Sequence, residues 1–436
     1  MAGKRLIAMA LAAMLTGSAP AAFAHSVAVP SVQTATPLER TAPRLLDLLA
    51  GRAEPDAALF TEEFLAAIPP GQIKAFVAQL TAQHGPAEAV GAIFVMGSTF
   101  GRVTILYDKS RVTMDLRVTD EPNPRITELR ITDLQPRNDS MAAIEAEFRA
   151  LPGAAGFGIY RLGSGKPELV AGFNPQRQFA IGSAFKLWVL DALAADVAAK
   201  RRKWSDVVPL GRPSLPSGDM RNWPPAAPVT LHTLAVAMIS ESDNTATDTL
   251  IGVVGRERIG QHLVATGHSA PALTLPFLTT LEAFTLKAGP VEERKAYGAA
   301  DDAAQARMLA ALAPRLDAGK IDPAFLSGKP NAIATIEWFA AAEDLAEVLD
   351  SLRRRPDPAV MAILGVNPGV GQDSAARFAR VGFKGGSEPG VLNLTWLVQS
   401  KDGSWYAVTA SWNDPDREVD LQRFLNLGQR LLAQVK

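Results

Sequence analysis

Strand-forming segments at the two ends of residues 140–436 constrain the fold of this chain most. One such segment lies near the start, at 156–160. Three more lie near the C-terminus, at 379–383, 391–398 and 405–412. The long stretch between them has helical character, and 418–435 has the pattern of a closing amphipathic helix. These elements predict an antiparallel sheet flanked by helices, so the middle and the end of the chain must come together to form a site.

Residues 38–136 follow a different pattern, in which helices come first and strands follow. Apolar residues recur at helical spacing between 38 and 84. Four strand-like runs then occur at 89–95, 103–107, 112–118 and 126–131. This order predicts a small α+β domain, which we interpret as a packing or substrate-gating module. A polar break at 135–140 predicts the boundary with a second domain at 140–436.

Residues 1–24 have the features of a secretory signal peptide. Lys4 and Arg5 precede an apolar run at 6–15, which is too short to span a bilayer, and an Ala-Phe-Ala sequence ends at Ala24. An uncleaved anchor is the alternative. We expect a cleaved leader, a linker at 25–37, and a mature protein in the periplasm or outside the cell that does not associate with a membrane.

The composition excludes several classes of function. The chain has 44 basic and 45 acidic residues and a net charge of −1, so no bulk positive field favours nucleic acid as a partner. It has no cysteine, which excludes a thiol nucleophile and a thiolate metal site. Its five histidines show no zinc-binding spacing, and no G-x-S-x-G sequence is present. We therefore expect a small-molecule substrate and neither a metal nor a cofactor.

The first candidate catalytic pair is Ser183 and Lys186, which lie three residues apart at the start of a predicted helix. Side chains at this spacing share a helix face. Apolar surroundings make a charged lysine costly and lower its pKa, and a neutral lysine can accept a serine proton. N–H groups at the helix N-terminus can stabilise an oxyanion. Alone, however, this pattern also arises by chance.

The second candidate motif, Ser242-Asp243-Asn244, lies 59 residues after Ser183. A hydroxyl beside Lys186 could pass a proton to a leaving group, and an amide could hold a substrate carbonyl. The alternative is a polar helix cap.

The third candidate motif is Lys384-Gly385-Gly386-Ser387, at the end of a predicted strand. The lysine adds positive charge, and the glycines let backbone approach a ligand closely. The alternative is a strand that ends in a glycine turn. Each motif alone is ambiguous, but the three in this order point to one site.

At these residues the chain resembles the class A β-lactamases and the wider family of penicillin-recognising serine hydrolases, whose signature is S-x-x-K, S-D-N and K-T-G. The resemblance extends over 140–436 and is strongest at 229–248. It implies an α/β domain with a five-stranded antiparallel sheet flanked by helices. It also implies hydrolysis through an acyl-enzyme, with a β-lactam as the first candidate substrate.

The resemblance implies a role for each matching residue. Ser183 would be the nucleophile and Lys186 its base. Ser242 would pass a proton to the leaving nitrogen, and Lys384 would support the positive field.

Other matching residues would hold the substrate. Asn244 would bind its side-chain amide, and the loop would be oriented by Asp243. The backbone N–H groups of Ser183 and Ser387 would form the oxyanion hole, beside Gly385 and Gly386.

Three departures from the family pattern bear on the substrate. Gly385 replaces the hydroxyl residue of K-T-G, which removes one hydrogen bond to a β-lactam carboxylate. In place of E-x-x-L-N, the only candidate deacylating base is Glu282, one residue out of register, and a structural glutamate paired with Lys287 is an equal alternative. Additional sequence around 287–330, with a predicted helix at 302–312, suggests a lid or a second wall of the site.

The layout also resembles that of the two-domain β-lactamase-like proteins of clavulanic acid biosynthesis, whose N-terminal domain is similar to steroid isomerases and polyketide cyclases. This resemblance implies a cone-like fold for 38–136. Three functional hypotheses follow: a β-lactamase, an esterase or peptidoglycan-peptide hydrolase with the same machinery, and a penicillin-binding protein without turnover.

Overall fold

The computed structural model describes residues 35–137, 139–322 and 328–435, and three helices begin the described chain. They are α1 (Pro37–Leu49), α2 (Glu62–Ala67) and α3 (Pro70–His84). An antiparallel sheet follows in chain order: β1 (Ala87–Gly97), β2 (Phe100–Tyr107), β3 (Ser110–Val118) and β4 (Ile126–Pro136). Helices therefore precede strands, as the sequence predicts. The predicted signal peptide at 1–24 and most of the linker lie outside the described residues.

Helix α1 shows why these segments fold in this way. The Thr36 hydroxyl accepts a hydrogen bond from the Glu39 backbone N–H (3.2 Å), and the Glu39 carboxylate accepts one from the Thr36 N–H (2.7 Å). This capping box satisfies donors that the first helical turn leaves unpaired. Leu38 and Leu45 are fully buried in the core between the helices and the sheet, and each such leucine stabilises the fold by about 1.5–3 kcal/mol.

The second sheet joins distant parts of the chain. Its five antiparallel strands have the order β11-β12-β13-β5-β6. Their bounds are β5 (Ala154–Leu162), β6 (Glu168–Phe173), β11 (Arg380–Glu388), β12 (Val391–Gln399) and β13 (Trp405–Asn413). Because β13 pairs with β5, the C-terminal strands complete a sheet that begins more than 200 residues earlier. This is the sheet that the sequence predicts, with β6 in addition to the four predicted strands.

Helices and short strands make up the rest of the described chain. The helices are α4 (Met141–Arg149), α5 (Lys186–Ala198), α6 (Leu231–Ser240), α7 (Asn244–Val254), α8 (Arg256–Ala265), α9 (Thr280–Ala288), α10 (Val291–Ala299), α11 (Asp302–Leu312), α12 (Ala342–Arg353), α13 (Pro358–Gly365), α14 (Gln372–Ala375) and α15 (Leu421–Ala433). Two-stranded pairs are formed by β7 (Phe179–Ala180) with β10 (Phe339–Ala340), and by β8 (Val207–Pro209) with β9 (Pro228–Thr230). Within the described ranges, no helix is long and apolar enough to cross a membrane.

Alternate residues of β12 face different cores, which places a helical layer on each side of the sheet. Trp396 belongs to the core that includes α4 and α15, whereas Leu397 belongs to the core that includes α5 and α12. The described residues from Thr36 onwards form one compact unit. The division at 136–140 and the cone-like fold of 38–136 stay predictions.

Candidate active site

The turn that carries Ser183 lies against the edge strand β11. Ser183 is in a 3₁₀ turn, Gly182–Phe185, and α5 begins only at Lys186. Ser183 therefore precedes the α-helix proper, although residues three apart also share a face in a 3₁₀ turn. Gly182 adopts φ +48°, a left-handed conformation that favours glycine. This residue reorients the chain just before the serine.

A glycine in β11 permits the close approach of the strand. A Cβ atom at Gly386 would lie 2.0 Å from the Ile181 carbonyl oxygen and 2.6 Å from the Ser183 backbone nitrogen. From the other side, a Cβ atom at Gly182 would lie 3.0 Å from the Ser387 backbone nitrogen. The contact brings together the two backbone segments whose N–H groups the sequence assigns to an oxyanion hole.

Lys186 is fully buried and connects α5 to the Ser242 loop. Its Nζ donates to the Ser242 carbonyl oxygen (2.6 Å), the Ser242 Oγ (3.0 Å) and the Asn244 Oδ1 (2.7 Å). Burial, reinforced by the charge of Lys384, holds the pKa of Lys186 well below its usual value. The buried position of Lys186 thus favours the neutral form of its amine.

Lys384 approaches the same hydroxyl from β11. Its Nζ donates to the Ser242 Oγ (3.1 Å) and to the Gly385 carbonyl oxygen (2.5 Å). Burial lowers the pKa of Lys384 to about 7. Ser242 therefore lies between two buried lysines whose burial disfavours the charged form of each. The sequence placed the third motif at the end of a strand. The structure instead places Lys384 within β11, which continues to Glu388.

The Ser242 loop is held by buried polar contacts. Ser242 has φ +59°, and its carbonyl oxygen also accepts a hydrogen bond from the Ser217 hydroxyl (2.6 Å). The Asp243 carboxylate caps α7 by accepting from the Ala246 N–H (2.7 Å) and also accepts from the Met220 N–H (2.9 Å). Asp243 thus orients backbone, the role that the sequence suggests for it.

One cavity of about 370 Å³ contains most of the predicted site residues. Those that line it are Ser183, Ser242, Asn244, Lys384, Gly385, Gly386 and Ser387. Lys186 contacts this cavity through its bonds to Ser242 and Asn244. The volume is within the range of small-molecule sites.

Sequence reasoning also missed other residues that line the cavity, and four of them are Ser217, Phe284, Asn367 and Phe383. Only Phe383 is adjacent to a motif. The others come from loops and from α9, at separations that no local pattern reveals.

Glu282 does not join this cavity. Its carboxylate accepts from the Thr279 N–H (2.8 Å), which completes a capping box at the start of α9, and from the Arg256 guanidinium (2.6 Å). It lines a different cavity, and Phe284 is the residue that α9 supplies to the Ser183 cavity. The interpretation of Glu282 as structural fits this geometry, but its partner is Arg256 and not Lys287.

Lys287 instead pairs with two other glutamates. Its buried Nζ donates to Glu337 (2.6 Å) and Glu388 (2.5 Å). Burial, together with the nearby Glu337 carboxylate, raises the pKa of Glu388 well above its usual value. The cluster ties the end of α9 to the end of β11.

The additional sequence around 287–330 also lies elsewhere. The predicted helix at 302–312 is present as α11. Its Ala306, Leu309 and Ala310 line the cavity of about 850 Å³ that contains Glu282. None of the described residues in 288–330 lines the Ser183 cavity, so the expectation of a second wall there is wrong for the described part. No cluster of potential metal ligands occurs within the described ranges.

Comparison with known proteins gives one family match. Residues 139–321 match the model of the beta-lactamase enzyme family, which identifies a beta-lactamase-like α/β domain over that range. No curated protein matches the chain.

Three solved structures illustrate the similarity. A beta-lactamase from Sphaerobacter thermophilus is 21% identical with a TM-score of 0.45, and a mutant of PBP-A in an acyl-enzyme complex with penicillin-G is 15% identical with a TM-score of 0.45. Both alignments cover 67% of this chain and 94% of the other. A beta-lactamase from Burkholderia phymatum is 16% identical with a TM-score of 0.43, over 66% of this chain and 95% of that one.

Proposed function

We propose that this protein is a serine hydrolase that forms an acyl-enzyme on Ser183, with a β-lactam as its first candidate substrate. The observation that carries the proposal is the position of the Ser242 hydroxyl. It hydrogen-bonds to two buried lysines, at 3.0 and 3.1 Å, in the wall of the cavity that Ser183 also lines. A buried lysine with a lowered pKa is a suitable base for a serine hydroxyl.

The reaction proceeds in two halves. Neutral Lys186 takes the proton of the Ser183 hydroxyl while Oγ attacks the substrate carbonyl, and the N–H groups of Ser183 and Ser387 stabilise the oxyanion. The acyl–nitrogen or acyl–oxygen bond then breaks, and Ser242 relays the proton from Lys186 to the leaving atom. Water subsequently attacks the acyl-enzyme, releases the acid and restores Ser183.

Two features of the site are compatible with acyl compounds other than a β-lactam. Gly385 offers no hydroxyl to a substrate carboxylate, and Glu282 lies outside the cavity. Loss of one hydrogen bond to a charged acceptor weakens binding by about 1.5–3 kcal/mol. These features favour an ester or a peptidoglycan peptide as the alternative substrate, or slow release of a penicillin.

Intact-mass spectrometry after addition of penicillin G tests the proposal. We expect an adduct of one penicillin mass that appears on the wild type and is absent from Ser183→Ala. Disappearance of the adduct with turnover of a chromogenic cephalosporin supports a β-lactamase, and a persistent adduct supports a penicillin-binding protein.

Hydrolysis of p-nitrophenyl esters tests the remaining alternative, an esterase or peptidase. Ester turnover that requires Ser183, without a penicillin adduct, supports the esterase or peptidase. If the folded wild type neither forms a penicillin adduct nor hydrolyses these esters, the acyl-enzyme proposal is wrong.

The proposal also includes location and partners. The cationic start and short apolar run at 1–24 support export to the periplasm or the exterior. The protein would bind a small-molecule substrate and would require neither nucleic acid nor a membrane. The similarity in layout to the clavulanic acid biosynthesis proteins, the cone-like fold of 38–136 and the role of that region as a packing or substrate-gating module are part of the same proposal.

A further inference from the structure

The Ser183 cavity extends to a face of β11 that the proposed chemistry does not use. Lys384 and Gly386 face the proposed catalytic groups. Because side chains alternate along a strand, Phe383 and Gly385 face the other side of the sheet, and Phe383 packs against the core that contains α15. Residues of both faces line the cavity, which therefore reaches around the edge strand β11.

The wall on this second face is apolar. A Cβ atom at Gly385 would lie 2.9 Å from the tip of the Phe383 ring, so the ring lies where a longer side chain would begin. Leu394 pairs with Gly385 in the sheet register and hence shares its face. The apolar wall consists of the side chains of Phe383, Leu392, Leu394, Leu421 and Leu425, which all line the cavity.

The apolar wall is accessible at its α15 end. Leu421 is 53% exposed, and Leu425 and Phe383 are half-buried, whereas Leu392 and Leu394 lie deeper. Because contact between water and apolar surface is unfavourable, an apolar part of a substrate is favoured over solvent at this end.

The cavity offers little to an anionic group. Among the described residues that line it, Lys384 is the one basic residue, and Glu241 contributes a carboxylate. The Lys384 Nζ already donates to the Ser242 Oγ and the Gly385 carbonyl oxygen. Burial lowers its pKa to about 7, so this amine is only partly charged near pH 7. A substrate carboxylate against the apolar wall would lose hydration without a cationic partner, which is costly.

The proposed proton transfer places the leaving group beside the apolar wall. Ser242 would deliver the proton to the leaving atom, and its Oγ lies 3.1 Å from the Lys384 Nζ. The same Nζ donates to the carbonyl oxygen of Gly385 (2.5 Å). The leaving atom therefore lies near Lys384 and Gly385, where the polar part of the cavity meets the apolar wall.

We propose that the apolar wall binds the apolar alcohol part of a neutral ester that acylates Ser183. This inference rests on the proposed acyl-enzyme and selects its substrate class. A peptide would place further backbone amides against leucine and phenylalanine side chains, which offer them no hydrogen bond, whereas an apolar alcohol carries no such groups.

The step balances with the groups already described. Ser183 Oγ forms a bond to the ester carbonyl carbon and gives its proton to Lys186. The bond from the carbonyl carbon to the alcohol oxygen breaks, and that oxygen receives the proton from Lys186 through Ser242. Water then hydrolyses the acyl-enzyme, which releases the acid and restores the serine.

A matched pair of aryl esters tests the proposal on the wild-type protein. p-Propylphenyl acetate and p-(carboxyethyl)phenyl acetate differ only at the end of the chain, where a carboxylate replaces a methyl group far from the ester. We expect kcat/KM at pH 7 to be at least about tenfold higher for the propyl ester, and to fall about fourfold for each CH₂ removed towards p-methylphenyl acetate. Liquid chromatography of the released phenol measures these rates, and Ser183→Ala should release none above background.

Leu421→Arg distinguishes a role in specificity from damage to the fold. Because Leu421 is exposed at the first residue of α15, the variant should fold. Its guanidinium should raise kcat/KM for the carboxyethyl ester about threefold or more and lower it for the propyl ester, whereas a structural defect would lower both. The matched control is Leu273→Arg, since Leu273 is 52% exposed but does not line this cavity, and it should change neither rate.

Equal kcat/KM for the propyl and carboxyethyl esters in the wild type would overturn the inference and leave the acyl-enzyme on Ser183 intact. So would a penicillin adduct on Ser183 without hydrolysis of any of the three esters, or an unchanged preference in folded Leu421→Arg. If the wild type forms no penicillin adduct and hydrolyses no ester, the proposed function is wrong, and this inference with it.

Discussion

At the scale of single residues, Lys186 and Lys384 share one hydroxyl but reach it from different parts of the chain. Both are buried, and each donates to Ser242 Oγ. Burial lowers the pKa of both lysines, and the charge of Lys384 lowers the pKa of Lys186 further. Burial of these two amines therefore costs folding stability, and in the proposed mechanism the neutral Lys186 is the base.

The pH dependence of stability tests the burial of Lys384. The pKa of Lys384 is about 7 in the folded state against an ordinary 10.5, so the unfolded chain holds the proton more tightly between these values. Stability due to this group is lowest below pH 7 and rises as the pH increases towards 10.5. We expect Lys384→Met to be more stable than the wild type at pH 6, by a few kcal/mol at about 1.4 kcal/mol per pKa unit.

Urea denaturation of both proteins at pH 6 and pH 9 measures this difference, which should be smaller at pH 9. An equal difference at both pH values would show that Lys384 titrates normally. The same substitution should abolish acylation of Ser183.

Glu282 provides a residue-scale test of deacylation. Because its carboxylate caps α9 and pairs with Arg256, we expect Glu282→Ala to lower the free energy of unfolding by about 1–3 kcal/mol. Glu282→Gln retains the cap and should be milder. Neither change should alter the rate at which the penicillin adduct is lost, as followed by mass spectrometry. Accumulation of adduct in folded Glu282→Gln would instead identify Glu282 as the deacylating base.

At the scale of elements, the site depends on the contact between β11 and the Ser183 turn. The strand can approach the turn only where it lacks a side chain, at Gly386. Lys287, which pairs with Glu337 and Glu388, fixes α9 to the end of the same strand. The positions of β11 and the Ser183 turn thus decide the geometry of the proposed oxyanion hole.

A pair of glycine substitutions tests the strand contact. Gly386→Ala must push β11 away from the Ser183 turn, because its Cβ atom would collide with backbone at 2.0 Å. We expect about a 100-fold or greater loss of the acylation rate, since displacement by about 1 Å has that effect. In the control, Gly385→Ala, the nearest atom is the end of the Phe383 ring at 2.9 Å, and we expect a much smaller loss. Equal rates for both variants would contradict this account.

At the scale of the whole molecule, buried polar contacts join the N-terminal sheet and its following segment to the second half. The Ser374 hydroxyl donates to Asp133 of β4 (2.9 Å). Arg430 of α15 is buried, and its guanidinium donates to Asp139 (2.6 and 3.0 Å) and pairs with Glu147 (2.8 Å). Such contacts couple the folding of the two regions.

Arg430→Met tests this coupling. Removal of the guanidinium leaves the buried Asp139 carboxylate without its partner, and we expect a loss of about 3–5 kcal/mol in the free energy of unfolding. Arg430→Lys keeps the charge but loses the bidentate geometry, so it should recover only part of this loss. Chemical denaturation followed by tryptophan fluorescence measures both. Stability within about 0.5 kcal/mol of the wild type for Arg430→Met would show that the ion pair is not coupled to folding.

Sequence reasoning worked where a property is local. The strands 391–398 and 405–412 and the helix at 302–312 follow from short apolar patterns, and the structure contains them with ends that differ by at most one residue. That the three motifs line one cavity was predicted from their order along the chain and not from a local pattern. Sequence reasoning was wrong about a second wall from the described part of 287–330, and wrong about the partner of Glu282, because both depend on how helices pack over long separations.

By itself, the sequence determined the antiparallel sheet that joins distant segments and the candidate groups Ser183, Lys186, Ser242 and Lys384. These depend on residue type and on short-range periodicity, which a chain carries in any conformation. Only the tertiary structure decided that two lysines would meet at one hydroxyl and that Phe284, not Glu282, would line the cavity. Burial and charge proximity arise from packing between segments far apart in the chain, and these set the pKa of a group.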